Sequence, residues 1–213
     1  MIRPRTAWLA LLIVWLTFFG WYTSFDGPLT PEEIAFIMQR SEERGAPPEQ
    51  LAKMRQFLES DTGGDFVMVN LVELNDPPPR IEGVPADATA QDLLDRYMEH
   101  MYPELFARAS HPVMMGEATA PALDIWGIEG ADNWTMGALM RYRSRRDMLE
   151  IAGNPAFQGP HEFKIAGMRK TIAFPADPWF QAGDPRLLLA LILIIAGLAN
   201  SLRWAKRDPR YSI

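Results

Sequence analysis

Hydrophobic positions divide this chain into three regimes. Residues 7–22 (AWLALLIVWLTFFGWY) and 187–202 (LLLALILIIAGLANSL) hold no charge, whereas the region between them mixes polar residues with periodic apolar ones. Counted out to Phe25, the first stretch reaches about 19 residues, close to the ~20 that a helix needs to cross ~30 Å of hydrocarbon. Trp8 and Trp21 sit near its ends as interfacial anchors. The second stretch reaches only about 24 Å at 1.5 Å per residue. Its flanks extend it: Trp179 and Phe180 on one side, Trp204 on the other, with Arg186 and Arg203 able to snorkel. A cleaved signal peptide is the rival reading of the first stretch. Trp21, Tyr22 and Phe25, however, stand where a peptidase requires small residues.

The middle region predicts a mixed α and β order. Thr30-Pro31-Glu32-Glu33 opens a helix, with Thr30 as cap and Glu33 closing a capping box. That helix ends at Gly45, and a second follows with Leu51, Met54, Phe57 and Leu58 at helical spacing. The pair is a membrane-proximal stalk or a cover. Residues 65–74 read as a central strand covered on both faces. Residues 76–90 are a loop, and 91–110 a helix with a kink at Pro103. Residues 111–118 and 123–128 are strand-like. Residues 133–143 alternate, with Trp134, Met136, Ala138, Met140 and Tyr142 on one face and Leu139, Arg141 and Arg143 on the other. Ser144 then caps a helix, 155–168 is mixed helix and loop, and 170–174 is a last strand. The order is β-α-β-β-α-β, in which first and last strands are antiparallel neighbours, so the chain enters and leaves at one edge. The expected division is an anchor over 1–25, a helical stalk over 26–62, an α+β domain over 63–176, a linker over 177–186, a second membrane helix over 187–204 and a tail over 205–213.

Charge sharpens the picture. The N-terminal tail carries +2 and residues 203–213 carry +3, while residues 23–186 hold 15 basic against 26 acidic side chains, −11, for the chain's −6. By the positive-inside rule both basic tails belong in the cytoplasm. The expectation is a two-pass protein of a bacterial inner membrane, its acidic domain periplasmic. An overall acidic chain excludes a phosphate-tracking nucleic-acid binder. The absence of cysteine removes disulfides, zinc ribbons and thiol catalysis.

The strand Val67-Met68-Val69-Asn70-Leu71, Tyr97 in the next helix, the segment Leu139-Met140-Arg141-Tyr142-Arg143-Ser144, and Asn154-Pro155-Ala156-Phe157 resemble the small proteins grouped as domain of unknown function 1330. These belong to the dimeric α/β-barrel, ferredoxin-like superfamily. The resemblance covers about residues 48–175. Arg143 departs from it, standing where that family usually has proline, and so do the two flanking apolar stretches. It implies a ferredoxin-like fold and a tendency to dimerise, and brings no reaction with it.

The residues offer little recognisable chemistry. His100, His111 and His161 lack metal spacing, no phosphate loop or GxSxG elbow is present, and no cofactor is expected. Trp126, Trp134 and Met114, Met115, Met136 and Met140 could line an apolar chamber, a core or a dimer seam. Arg141, mid-strand, needs a carboxylate or a ligand anion, and Asn70 needs hydrogen-bond partners. With Tyr97, His100 and Tyr142 they form the candidate ligand pocket. The principal expectation is a membrane-anchored interaction or accessory module, homodimeric or paired with another membrane protein. The alternatives are a cofactor-free oxygenase or isomerase, which the resemblance implies through relatives in the wider superfamily and which requires Asn70, His100 and Arg141 to converge, or a binder of a small hydrophobic ligand.

Overall fold

A computed structural model describes residues 3–154 and 158–207. The chain forms two compact units, one from Met1–Thr23 with Trp179–Ile213, the other Ser24–Pro178.

The first unit is a pair of helices, α1 (Pro4–Tyr22) and α7 (Pro185–Ala205), each long and apolar enough to cross a membrane. They run antiparallel. Trp8 Nε1 donates to Ser201 Oγ at 3.2 Å near one end, and Trp15 Nε1 donates to the Arg186 carbonyl at 3.1 Å toward the other. Gly197 permits the close approach, because a Cβ there would lie 2.6 Å from the Trp8 ring. The helices start and stop by local means: Pro4 occupies the first turn of α1, and Asp184 caps α7 by accepting from the Arg186 N–H. Arg186 forks onto the Asp184 carboxylate and lies over the Tyr22 ring at 5.3 Å. Leu9, Leu12, Ile13 and Leu16 of α1, and Leu191, Ile192, Ile195 and Leu198 of α7, stay exposed. Trp8, Trp21, Trp179 and Arg203 are exposed as well, while Trp204 is half-buried. Residues 208–213 of the expected tail lie outside the described residues.

The second unit begins with α2 (Pro31–Glu43) and α3 (Pro48–Glu59) and continues β1 (Phe66–Leu74), α4 (Ala90–Ala107), β2 (His111–Glu117), β3 (Met136–Tyr142), α5 (Arg145–Gly153), α6 (Gln158–Gly167) and β4 (Met168–Ala176). The sheet order is β2-β3-β1-β4, antiparallel throughout. This is the split βαβ topology, and the pairing of Val67 with Ala176 brings the sheet's entry and exit to one end. Capping boxes at Thr30/Glu33 and Thr89/Asp92 start α2 and α4, and α4 runs on past Pro103.

Residues 123–128 are not a strand. Pro121 and the positive φ of Gly127 and Gly130 (71° and 69°) break the extended run, and no neighbouring strand pairs with it. The segment is instead part of a long β2–β3 connection, closed at its base where Ala118 N–H donates to the Thr135 carbonyl and Ala122 N–H to that of Asp132.

Alternation along the strands sorts the side chains onto two faces. Phe66, Met68, Met140 and Tyr142 face the helices, where Met101, Leu105, Met140 and Ile151 form the core. Val67, Val69, Leu71, Leu139, Ile172 and Phe174 face the other way. A second core of Leu29, Met38 and Leu58 joins α2 and α3 to Leu149 of α5. The segment expected as a stalk or a cover is therefore packed onto the α+β domain within one unit.

Arginines at the end of β3 and the start of α5 hold these parts together. Arg141, 1% exposed, donates to Asp65 at 2.8 Å and to the Ala109 carbonyl at 2.7 Å. Arg143 forks onto Asp147. Arg145 lies 3.5 Å from Asp61, donates to Ser60 Oγ and covers the Phe57 ring at 4.4 Å. Arg146 donates to Glu33 and to the carbonyls of Gly27 and Pro28. Asp61 also accepts the N–H groups of Leu29 and Gly63, and Gly63, at φ +78°, abuts Gly27 so closely that a Cβ would meet its carbonyl carbon at 2.4 Å.

Two outcomes follow. Arg141→Met takes the buried guanidinium from the partly exposed Asp65 carboxylate and from the Ala109 carbonyl, a loss of about 1–3 kcal/mol, so the urea midpoint of the domain falls; a midpoint within error of wild type contradicts this role. Arg146 holds the Glu33 carboxyl down at about 2 from its ordinary 4.5, aided by the Thr30 N–H. A lowered folded-state pKa stabilises fully above pH ~4.5 and is lost as pH falls toward about 2. Because Glu33 is 38% exposed, the amount is that of a screened pair, under about 1 kcal/mol. Glu33→Gln accordingly flattens the acid limb of the stability–pH curve, measured by denaturant midpoints at successive pH values.

Candidate functional site

Of the five residues expected to form a pocket, the fold gathers three on one side of the sheet. Tyr97 of α4 and Tyr142 of β3 pack against the same core, and the Tyr142 ring stacks on Phe66 at 5.4 Å. Asn70 shares the helix-facing side of β1 and donates its amide to the carbonyls of Met68 (2.9 Å) and Ala138 (3.3 Å). These bonds answer its buried polarity without a ligand.

Arg141 and His100 lie elsewhere. The strand alternation that turns Tyr142 toward the helices turns Arg141 to the opposite face, where Asp65 and Ala109 already engage it. His100 is exposed on α4, its Nδ1 2.9 Å from the Arg96 carbonyl. Asn70, His100 and Arg141 therefore do not converge. The methionines also separate: Met115, Met136 and Met140 lie toward the helices, Met114 on the other face, and Trp126 is 93% exposed in the β2–β3 connection. They line no single chamber.

Two residues not among those five complete the cleft between sheet and helices. His161 of α6 meets the Tyr97 ring edge-on at 6.3 Å, and Lys164 Nζ lies 5.6 Å from its centroid. Their i, i+3 spacing places both on one stripe of α6, a signal present in the sequence but uninformative until α6 is set beside α4. Burial pushes the Lys164 amine down. Burial, and then the nearby Lys164, lowers His161. Burial raises Tyr97, and burial followed by the nearby Tyr97 pushes Tyr142 up to about 12. At neutral pH the cleft thus presents two protonated phenols and a predominantly neutral imidazole beside an amine with no carboxylate partner among the described residues. Such a set can hydrogen-bond a carbonyl or an anion.

An antiparallel β2-β3-β1-β4 sheet with its helices on one face defines an α+β, ferredoxin-like domain. No family model matches the chain, and no curated protein matches it. Solved structures do. A protein of unknown function from Rhodopseudomonas palustris is similar with a TM-score of 0.50 and 20% identity, over 63% of this chain and 95% of its own. Its methylated form gives 0.51 and 20%, over 65% and 95%. A dimeric protein of unknown function and ferredoxin-like fold from Bacteroides fragilis is 10% identical with a TM-score of 0.32, over 54% and 97%. At these identities the likeness is one of fold.

The raised Tyr142 has a consequence at high pH. An unfolded tyrosine loses its proton near 10, whereas this one keeps it to about 12, so the folded state loses stability as pH rises above 10. Tyr142→Phe flattens that alkaline limb in denaturation midpoints between pH 9 and 12 (roughly the range set by the two pKa values); an unchanged limb places the phenol in solvent.

Proposed function

We propose that this protein is a two-pass, membrane-anchored module whose α+β domain lies outside the cytoplasm, periplasmic in a bacterium, and acts as an interaction or accessory subunit. The observation that carries this reading is the α1–α7 pair: two antiparallel apolar helices whose leucines and isoleucines point outward. In water such surfaces are costly; in lipid they are not. Arg3 and Arg5 at the start of α1, and Arg203, Lys206 and Arg207 at the end of α7, put the basic residues at one end of the pair, which favours both termini in the cytoplasm. Carbonate washing should leave the protein in the membrane fraction, and a periplasm-active reporter fused near residue 120 should be active. Release into the aqueous fraction, or a cytoplasmic reporter signal, contradicts the assignment.

The module is a homodimer through the sheet face opposite its helices. That face presents Val69, Leu71, Leu139 and Ile172 with Met114 (57% exposed) and Phe174 (48% exposed), an apolar surface of the kind that marks an interface. The resemblance of residues 48–175 to domain of unknown function 1330 supports the same association. Met114→Glu with Phe174→Glu should convert the detergent-solubilised protein from dimer to monomer in light scattering without altering its helical content; a wild-type protein that is already monomeric sinks this part.

A second reading rests on Lys164, partly buried above Tyr97 with no carboxylate partner among the described residues. The cleft formed with Tyr142 and His161 would hold a small carbonyl-bearing or anionic molecule. Native mass spectra of protein isolated from its own membrane test this: a bound small molecule lost in Lys164→Met supports it, and a ligand-free spectrum opposes it.

A further inference from the structure

A groove of about 650 Å³ lies away from the sheet–helix cleft, between α2, the end of α4 and α5. Its floor is apolar, formed by Leu29, Ile37, Met54 and Leu149, with Phe36 exposed at its side. Its charge is opposite to that of the domain around it. Among the described residues, Arg40, Arg44, Arg108 and Arg146 line it against Glu33 and Glu150, in a chain whose net charge is −6.

The four arginines are not equivalent. Arg146 is held by Glu33, and Arg108 by Glu104 and Glu150. Arg40 and Arg44 have no ion pair among the described residues. Arg40 lies 5.6 Å from the Phe36 ring centroid, and Arg44 makes one long bond, 3.4 Å, to the Gly153 carbonyl. Phe36, Arg40 and Arg44 follow at i, i+4 and i+8, so one stripe of α2 and its C-cap sets an aromatic ring and two guanidinium groups without an ion pair among the described residues along the same rim. A volume of this size suits a small organic molecule rather than a polypeptide. A guanidinium fork is matched to a carboxylate or phosphate.

We propose that this groove binds a small amphiphilic anion, an apolar body carrying one carboxylate or phosphate group, taken up as a free molecule rather than as the headgroup of a membrane lipid. The apolar body lies on Ile37, Met54 and Leu149, and the anionic group is met by Arg40 and Arg44. The assignment is independent of the dimer and of the sheet–helix cleft.

The test uses the full-length protein in phosphatidylcholine nanodiscs, titrated calorimetrically with octanoate, octanol and octylammonium against empty nanodiscs. Octanoate should bind saturably and at least about tenfold more tightly than either control, the scale of one charge-assisted hydrogen bond. Arg40→Gln/Arg44→Gln, two exposed positions, should weaken octanoate by about tenfold or more at an unchanged melting temperature while leaving octanol unaffected. Absence of saturable octanoate binding, equal binding of octanol, or an unaffected double variant overturns the proposal. So does loss of octanoate binding when phosphatidylglycerol is added to the nanodiscs, which would assign the arginines to a lipid headgroup.

Discussion

The α+β unit depends on a run of four arginines being matched, one by one, to carboxylates. Arg141, Arg143, Arg145 and Arg146 span six residues at the β3–α5 junction, and each meets an acid: Asp65 before β1, Asp147 within α5, Asp61 before β1, and Glu33 at the start of α2. A guanidinium taken from water is costly unless its fork is filled, so the buried members admit only arrangements that bring those carboxylates to them. Three otherwise separate pieces are thereby tied to one junction: the chain entering β1, the loop around Ala109, and the α2–α3 pair. The apolar cores of Leu58 and of Leu105 with Ile151 supply the burial, while the arginines select how the pieces are placed.

The same junction explains the division between framework and available surface. Arg141, which might have served an anion, is consumed by Asp65 and Ala109 because strand alternation directs it away from Tyr142. Arg146 and Arg108 are neutralised at the edge of the α2–α5 groove, which leaves Arg40 and Arg44 without an ion pair among the described residues. In the cleft on the helix side of the sheet, Lys164 likewise has no carboxylate partner among the described residues, and burial pushes its amine down. In the α2–α5 groove and the sheet–helix cleft, positive charge without an ion pair among the described residues lies beside apolar walls, an arrangement suited to holding small anions rather than extended polyanions.

Each unit also closes on itself at its ends. The antiparallel pairing of β1 with β4 returns the domain's chain to where it entered, and the antiparallel α1–α7 pair does the same for the terminal unit. On the proposed two-span reading, this property spares the domain long connections back to a bilayer. Gly197 and Ser201 serve α1–α7 contact through close packing and one indole hydrogen bond, forces that persist where the hydrophobic effect between helices is absent.

Local sequence signals were legible wherever a single element decides the outcome. The two uncharged stretches, the Thr30/Glu33 box, the Ser144 cap and the alternation of Met136–Tyr142 follow from helix termini and strand period, which operate over a few residues. Residues 123–128 misled because β-rich composition says nothing about whether a neighbour exists to accept the pairing. The site was less readable still. Tyr97 and Tyr142 reach one cleft through packing of α4 on β3, His161 and Lys164 join them only because α6 lies beside α4, and the matching of arginines to acids spans separations of up to 113 residues. Sequence by itself determined the elements, the faces of the strands and the candidate spans, because those depend on periodicity; which charges are consumed and which remain available was decided only by the tertiary structure, because ion pairing depends on distance in space.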